Sequence, residues 1–324
     1  MYSPDPAPLA PVPDRLARSG GGLSGATVDA LVASIGNTPL VPLAALVRRS
    51  GAAFELLAKA EHLNPTGSVK DRTARGIVLD ALADGRLRTG QTLMDASSGN
   101  TAVAYAMLGA RFGFPVELIL PRNAHPTRIA RLEALGARVV FTDPSDGTDG
   151  AQLEARRRAA SAPERYFYPD QYNNPSNPRA HYTSTGPEIW QQTAGRVTHF
   201  VAGVGTGGTI SGVSRFLKER NPRVRVVGVE PPGPIHGIEG LKHLPTALRP
   251  TTYDDRLVNE TVRVETEDAL ATQRRLAEDE GLIVGASAGA AVWAALEVGR
   301  SAPGSVVVTV LPDGGHAESA RGSP

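Results

Sequence analysis

The chain has 324 residues, 41% hydrophobic and 21% charged, with 34 Lys and Arg against 33 Asp and Glu for a net charge of +1. That balance describes a globular chain long enough for two lobes, and it offers no basic stripe to a nucleic acid or an acidic membrane surface. The absence of cysteine excludes disulfides, zinc–thiolate centres and cysteine nucleophiles.

Residues 1–25, MYSPDPAPLAPVPDRLARSGGGLSG, are rich in Pro, Gly and Ala and lack the apolar core of a signal peptide, so they read as a flexible leader. No apolar run reaches the ~18 residues of a membrane span, and the default location is the cytoplasm. FELLAKA (54–60) predicts a strand and 68–85 a helix. TLMD (92–95) predicts a strand, followed by a helix over 100–113, a strand over 116–120, a helix over 126–135 and a strand over 138–142. The pattern resumes with HFVAG (199–203), a helix ending at 220 and VRVVGVE (224–230). Helices over 267–280 and 287–300 precede a late strand, SVVVTVL (305–311). This alternation predicts an α/β fold of parallel sheets with helices on both faces. The Pro- and Asn-rich stretch PDQYNNPSNPRAHY (169–182) is expected to stop both helix and strand and to mark a lobe boundary. The expected organisation is one unit over 26–320, with a smaller lobe of about 55–170 and a larger one of 26–54 plus 171–320.

Ligands of open α/β sheets bind where carboxyl ends of strands feed helix N-termini, and three unusual loops fall at such places. GVGTGGT (203–209) satisfies G-x-G-x-x-G through Gly203, Gly205 and Gly208, and Glu230 ends the next strand where a ribose-binding acid would lie. Equally, Gly205, Gly207 and Gly208 can offer backbone N–H groups to a monophosphate at a helix N-terminus, with Thr206 and Thr209 adding hydroxyls. The loop alone does not choose between dinucleotide and monophosphate. SSGNT (97–101) offers hydroxyls and amides suited to a carboxylate, but taken alone it reads first as an N-cap. GASAGA (285–290) likewise presents Ser287 first as an N-cap, and second as a hydroxyl aimed into a site.

Lys70 follows a turn-forming run, Asn64-Pro65-Thr66-Gly67, and opens a predicted helix. The macrodipole disfavours a cation there. A desolvated lysine in such a place is a nucleophile or base, whereas an ordinary one would be solvated and paired with Asp71 or Glu61.

Residues 59–72, KAEHLNPTGSVKDR, resemble the lysine motif of the fold-type II pyridoxal-phosphate enzymes, in their cysteine synthase and cystathionine β-synthase branch. Gly36-Asn37-Thr38-Pro39-Leu40 is similar to that branch's N-terminal signature, Ser97–Thr101 to its substrate-carboxylate loop, and Thr185-Gly186-Pro187-Glu188-Ile189 to a further stretch. Gln171, residues 203–209 and Ser287 match in the same order, so that the resemblance runs from about residue 35 to residue 312. It implies a tryptophan synthase β-like fold of two open twisted parallel-sheet lobes, pyridoxal 5′-phosphate as cofactor and a homodimer; the histidines show no metal-ligand spacing, so no metal is expected. The implied activity is cysteine synthesis: β-replacement of an O-activated L-serine (O-acetylserine or O-phosphoserine) by sulfide. The alternatives are a cystathionine β-synthase or a serine/threonine dehydratase, and more distantly a nicotinamide-dependent dehydrogenase or a non-catalytic scaffold.

The resemblance also assigns roles. Lys70 would join the cofactor aldehyde and then take the substrate Cα proton. Gly205, Thr206, Gly207, Gly208 and Thr209 would hold the phosphate, Asn100 the ring hydroxyl and Ser287 the pyridine nitrogen. Ser97, Ser98, Gly99, Thr101 and Gln171 would bind the amino-acid carboxylate. Two departures stand out. Ala102 replaces a usual glycine and is expected to narrow the carboxylate loop slightly, and LPDGGHAESA (311–320) lacks the family's usual continuation. Lys242, His236 and His243, in the segment 235–243, are expected to form a solvated basic loop, with contact to an anionic leaving group as the second reading.

Overall fold

The computed structural model describes residues 30–97 and 99–315; the expected leader (1–25), Ser98 and the chain beyond 315 lie outside the described residues. The strands are β1 (Leu40–Pro42), β2 (Glu55–Ala60), β3 (Thr92–Ala96), β4 (Val116–Pro121), β5 (Arg138–Thr142), β6 (Tyr166–Phe167), β7 (His199–Gly203), β8 (Arg225–Glu230), β9 (Glu260–Arg263) and β10 (Val306–Leu311). The helices are α1 (Ala44–Ser50), α2 (Lys70–Ala83), α3 (Asn100–Phe112), α4 (Pro126–Ala134), α5 (Gly147–Ser161), α6 (Ser176–Ala180), α7 (Gly186–Gln192), α8 (Gly208–Arg220), α9 (Thr266–Glu280) and α10 (Ala286–Ser301).

The described residues form two units, 30–35 with Lys70–Ser176 and 36–69 with 177–315. The first holds a parallel four-stranded sheet in the order β5-β4-β3-β6. Successive strand residues face opposite sides of a sheet. Accordingly Leu93, Leu118 and Leu120 join one core with Tyr105 and Leu108 of α3, while Met94, Ala96 and Ile119 join another with Ala151 and Ala155 of α5. The second unit holds a six-stranded sheet in the order β1-β2-β10-β7-β8-β9, parallel except at β1. Val201 and Val307 pack toward α10, whereas Phe200 and Val308 pack toward α8. Both sheets are thus covered on both faces, which is why their strands read as nearly continuous apolar runs.

The division differs from the expected lobes at three places, one of them the boundary itself, since residues 171–176 belong with the first unit. β2 pairs with β10 over its whole length, Glu55↔Val306 to Ala60↔Leu311, so residues 55–69 belong with the second unit. Residues 30–35 belong with the first, where Arg75 Nη1 donates to the carbonyls of Ile35 (2.6 Å) and Val32 (3.2 Å). The stretch 169–182 also does not exclude helix. Asn174 Oδ1 accepts from Ser176 N (3.0 Å), α6 starts there, and a π-helical turn, His181–Thr185, carries the chain into α7. Pro178 lies in the first turn, where a backbone N–H has no helical partner to lose.

Two of the matched signatures meet within the second unit. Lys59, with no exposed surface, reaches Glu188 Oε2 (2.6 Å), the Thr38 carbonyl (2.5 Å) and Gln192 Oε1 (3.0 Å). Three acceptors around one buried ammonium are the condition for keeping such a charge. Thr38 comes from GNTPL and Glu188 from TGPEI, so these two motifs carry structure.

Candidate active site

The glycine loop follows β7. Gly207 has φ +83°, and a Cβ there would lie 2.5 Å from Tyr253 Cβ and 2.7 Å from its Cα. A Cβ on Gly205 would run into the Gly240 carbonyl, and one on Gly208 into the Asn177 side chain. Glycine is therefore demanded by conformation at one position and by packing at all three. Thr206 is buried; its hydroxyl accepts from Asn177 Nδ2 (3.0 Å) and its carbonyl from Thr252 Oγ1 (2.5 Å). Thr209 Oγ1 meets His181 Nε2 (3.2 Å), whose Nδ1 meets Thr185 Oγ1 (2.9 Å). The loop ends at the first turn of α8, where outward N–H groups and the positive end of a 13-residue dipole favour a small anion.

Asp313, just past β10, ties two further segments to the same carboxyl edge of the sheet. It bridges Ser68, and Val69 N donates to the Pro312 carbonyl (2.7 Å). Gly285 N donates to the Asp313 carbonyl (3.2 Å), and Gly285 is the N-cap of α10. Ser287 is therefore the second helical residue and not the expected N-cap. It is nearly buried, and its hydroxyl takes no partner among the described residues. Lys70 follows Val69 and opens α2 after a turn in which Gly67 N donates to the Asn64 carbonyl (2.8 Å). Glu61, one of the expected ordinary partners of Lys70, accepts from Thr38 Oγ1 and Asn64 Nδ2, each at 2.7 Å.

In the first unit, SSGNT lies at the carboxyl end of β3, the strand flanked by β4 on one side and β6 on the other. Such a switch strand is where open α/β sheets place their ligands. The N-cap of α3 is Gly99, with no side-chain cap, and not a serine or asparagine of the loop as the simpler expectation had it. Ser97 Oγ accepts from Gly99 N (3.3 Å), and Thr101 Oγ1 donates to Gln171 Oε1 (2.8 Å), with Thr101 and Gln171 both buried. Gln171 thus turns its amide nitrogen, a donor, away from Thr101. Asn100 is the first residue of α3. The Ala102 methyl packs into the core of this unit rather than narrowing the loop.

The structure thus groups Ser97, Gly99, Asn100, Thr101 and Gln171 in one unit and Gly205 to Thr209 with Ser287 in the other, with Lys70 where the chain passes from the second to the first. Glu230 ends β8 nearly buried; burial raises its carboxyl, against a hydrogen bond from the Leu244 amide. The segment 235–243 is more than a solvated loop, since Lys242 N donates to the Val204 carbonyl (2.8 Å) and the Leu241 side chain abuts Gly203. Asn177, His181, Thr252 and Tyr253, which shape the cup, carry no local signal and come from segments more than 20 positions away. Among the described residues no group of three or more His, Cys, Asp or Glu is placed to hold a metal ion.

A glycine cup at a helix N-terminus, a lysine opening a helix and an unpartnered serine on the cup's own sheet define an α/β enzyme for a small phosphorylated cofactor. The family of pyridoxal-phosphate dependent enzymes matches residues 31–313, and the chain belongs to it. The cysteine synthase of Aquifex aeolicus is 48% identical over 89% of this chain and 90% of its own. Cysteine synthase B of Salmonella typhimurium is 42% identical over 89% and 93%. A cysteine synthase structure from Entamoeba histolytica superposes with TM-score 0.84 at 33% identity, over 88% of this chain and 87% of that one. The fold is the expected fold-type II arrangement, and the residues fit its cofactor: Gly205, Gly207 and Gly208 lie so close to Gly240, Tyr253 and Asn177 that only glycine lets the loop bring its amides to the start of α8.

Proposed function

We propose that the protein is a cysteine synthase: it converts an O-activated L-serine and sulfide into L-cysteine and the released acid. The observation that carries this is the walled glycine cup on the same sheet edge as the segments leading into Lys70 and Ser287. The relatives' activity and their coverage of nearly the whole chain support it.

Pyridoxal phosphate, when bound, supplies the electron sink for breaking the substrate Cα–H bond. Gly205, Thr206, Gly207, Gly208 and Thr209 would hold its phosphate, Asn100 its ring hydroxyl, and Ser287 its ring nitrogen, with a neutral hydroxyl rather than a carboxylate. Lys70 would anchor the cofactor and take the Cα proton. Ser97, Ser98, Gly99, Thr101 and Gln171 would orient the substrate carboxylate. Loss of the proton from Cα and of the acyloxy or phosphoryloxy group from Cβ opens Cβ to sulfide. The homodimer implied by the resemblance and the cytoplasmic location belong to this proposal; among the described residues no helix is long and apolar enough to cross a membrane.

The test is cysteine formation from O-acetylserine and from O-phosphoserine with sulfide, in the presence of pyridoxal phosphate. No cysteine from either would end the proposal. Thr101→Val removes the hydroxyl bonded to Gln171 and is expected to raise KM for the amino acid about tenfold with little change in kcat, as a lost neutral hydrogen bond of ~1–1.5 kcal/mol requires. Steady-state kinetics check it, and an unchanged KM would remove Thr101 and Gln171 from the carboxylate site.

A further inference from the structure

We propose that Asp95 is a positioning residue for the loop that takes the substrate carboxylate, its buried carboxyl holding the β3 stem of that loop against Tyr105 of α3. This rests on the reading of Ser97–Thr101 and Gln171 given above. Asp95 lies two residues before the loop and Tyr105 four residues after it, so the pair brackets both of its stems. They are 2% and 0% exposed. Asp95 follows Leu93 by two, which turns it to the sheet face that α3 covers. Its Oδ1 accepts from the Ala96 amide (2.8 Å). The Tyr105 hydroxyl lies near the Asp95 carboxyl, and neither that hydroxyl nor Oδ2 has a hydrogen-bond partner among the described residues.

A third buried oxygen without a partner, Asp170 Oδ1, belongs to the residue immediately before Gln171. Asp170 has φ +41°, a left-handed conformation rare outside glycine, and its Oδ2 is held by Asn173 Nδ2 (2.9 Å) with Arg156 at 3.8 Å. Each segment of the carboxylate set therefore adjoins a buried, unpartnered polar atom. Buried oxygens in native proteins are nearly always paired, so three beside the segments of one site call for an explanation.

Protonation decides what this cluster does. The groups facing Asp95 are Tyr105 from α3, Tyr168 and Asp170 from the segment after β6, and Arg156 from α5; Tyr172, with Asp149 of α5, lies close by. Burial first and then the Asp170 charge push Asp95 up to about 8, against the pull of the Ala96 amide, Tyr105 and Arg156. Burial likewise raises Tyr105, Tyr168 and Tyr172. While Asp95 holds its proton it adds no charge to this buried corner, and the β3 stem stays packed. Once it ionises, the cluster holds a buried anion, and water enters to solvate it. The loop then loosens and the substrate carboxylate binds less well.

The test follows KM for the activated serine from pH 6.5 to 9.5, together with thermal unfolding of the substrate-free protein over the same range. Asp95→Leu is expected to raise KM about tenfold at every pH. Asp95→Asn, the shape of the protonated acid, is expected to restore KM and to lack the additional rise, about fivefold or more, that the wild type shows above pH 8. Titration of the substrate's own amine appears in both proteins and cancels. The unfolding contrast has a fixed sign. A carboxyl whose folded pKa exceeds its unfolded value keeps a proton that the unfolded chain has lost, so stability falls as pH rises toward 8 and levels off above it. The wild-type Tm is therefore expected to fall more steeply with pH than that of Asp95→Asn. Identical profiles of KM and Tm in these two proteins overturn the proposal, as does a Tm contrast without a KM contrast. Ser97→Ala tests the underlying reading separately: an unchanged KM at all pH sinks the carboxylate loop and with it the positioning role, while the Tm contrast would survive.

Discussion

Lys70→Ala is expected to lower the rate of cysteine formation by at least ~10³, about 4 kcal/mol of transition-state stabilisation, while the protein stays folded. A positioned general base alone contributes roughly 10² to 10⁴, and this amine also anchors the cofactor. Folding should be indifferent. Lys70 is only partly buried and opens the 14-residue helix α2, where removing a cation from the positive end of the dipole is neutral or slightly favourable. The turn that delivers Lys70 is built without its side chain: Gly67 N donates to the Asn64 carbonyl, Asn64 Oδ1 accepts from Gly36 N (2.9 Å), and Val69 N is tied to Pro312. Turnover and Tm are measured side by side. In the wild type, borohydride treatment of the pyridoxal-phosphate-loaded protein followed by peptide mapping is expected to label the peptide carrying residue 70. Cysteine formation by the alanine variant at the wild-type rate, or a label elsewhere, would remove Lys70 from the chemistry.

How far such a site is legible in sequence depends on whether its causes are local. β7 appears at the expected residues, 199–203, and β10 within one residue of the expected 305–311, because apolar runs buried on both faces look the same in sequence as in the sheet. The short edge strands β1 and β9, of three and four residues, leave no such run and go unread. The helical continuation through 176–185 is hidden because Pro and Asn usually break helices, and only the Asn174 side chain at Ser176 reveals a helix start. The N-cap readings of the SSGNT loop and of Ser287 fail for a related reason. Composition makes serine the natural cap, whereas the backbone gives that position to Gly99 and Gly285. For Gly285 packing supplies the cause, since a Cβ there would strike the Asp313 carboxylate. The glycine loop can be found by eye, but what forces each glycine cannot: Gly240 and Tyr253 stand 35 and 46 positions from Gly205 and Gly207. Lys59 reads as a strand lysine and is fully buried, because its partners Glu188 and Gln192 lie more than 120 residues away.

Gly207→Ala is the variant in which those distant walls are expected to matter most. Two costs act together. An L-residue at φ +83° pays about 1 kcal/mol of backbone strain. The added methyl also meets Tyr253 at Cβ (2.5 Å), Cα (2.7 Å) and N (3.0 Å), and backbone atoms cannot rotate aside as the tip of a side chain can. Forcing a methyl group into a packed interior adds roughly 1–3 kcal/mol. The chain can relieve the clash by moving the loop or by moving Tyr253, whose neighbour Thr252 holds the Thr206 carbonyl at 2.5 Å. Either movement shifts the amides at the start of α8. A loss of about 2–4 kcal/mol in stability and at least thirtyfold weaker binding of pyridoxal phosphate are expected, read by thermal unfolding of the cofactor-free protein and by cofactor titration. Gly85→Ala is the matched control, because Gly85 has φ +77° and a methyl added there would meet nothing within 4 Å. It carries the backbone strain alone and should bind the cofactor as the wild type does. A Gly207→Ala protein that lost no more stability than Gly85→Ala and kept wild-type cofactor affinity would show that the wall formed by Tyr253 does not shape the phosphate cup.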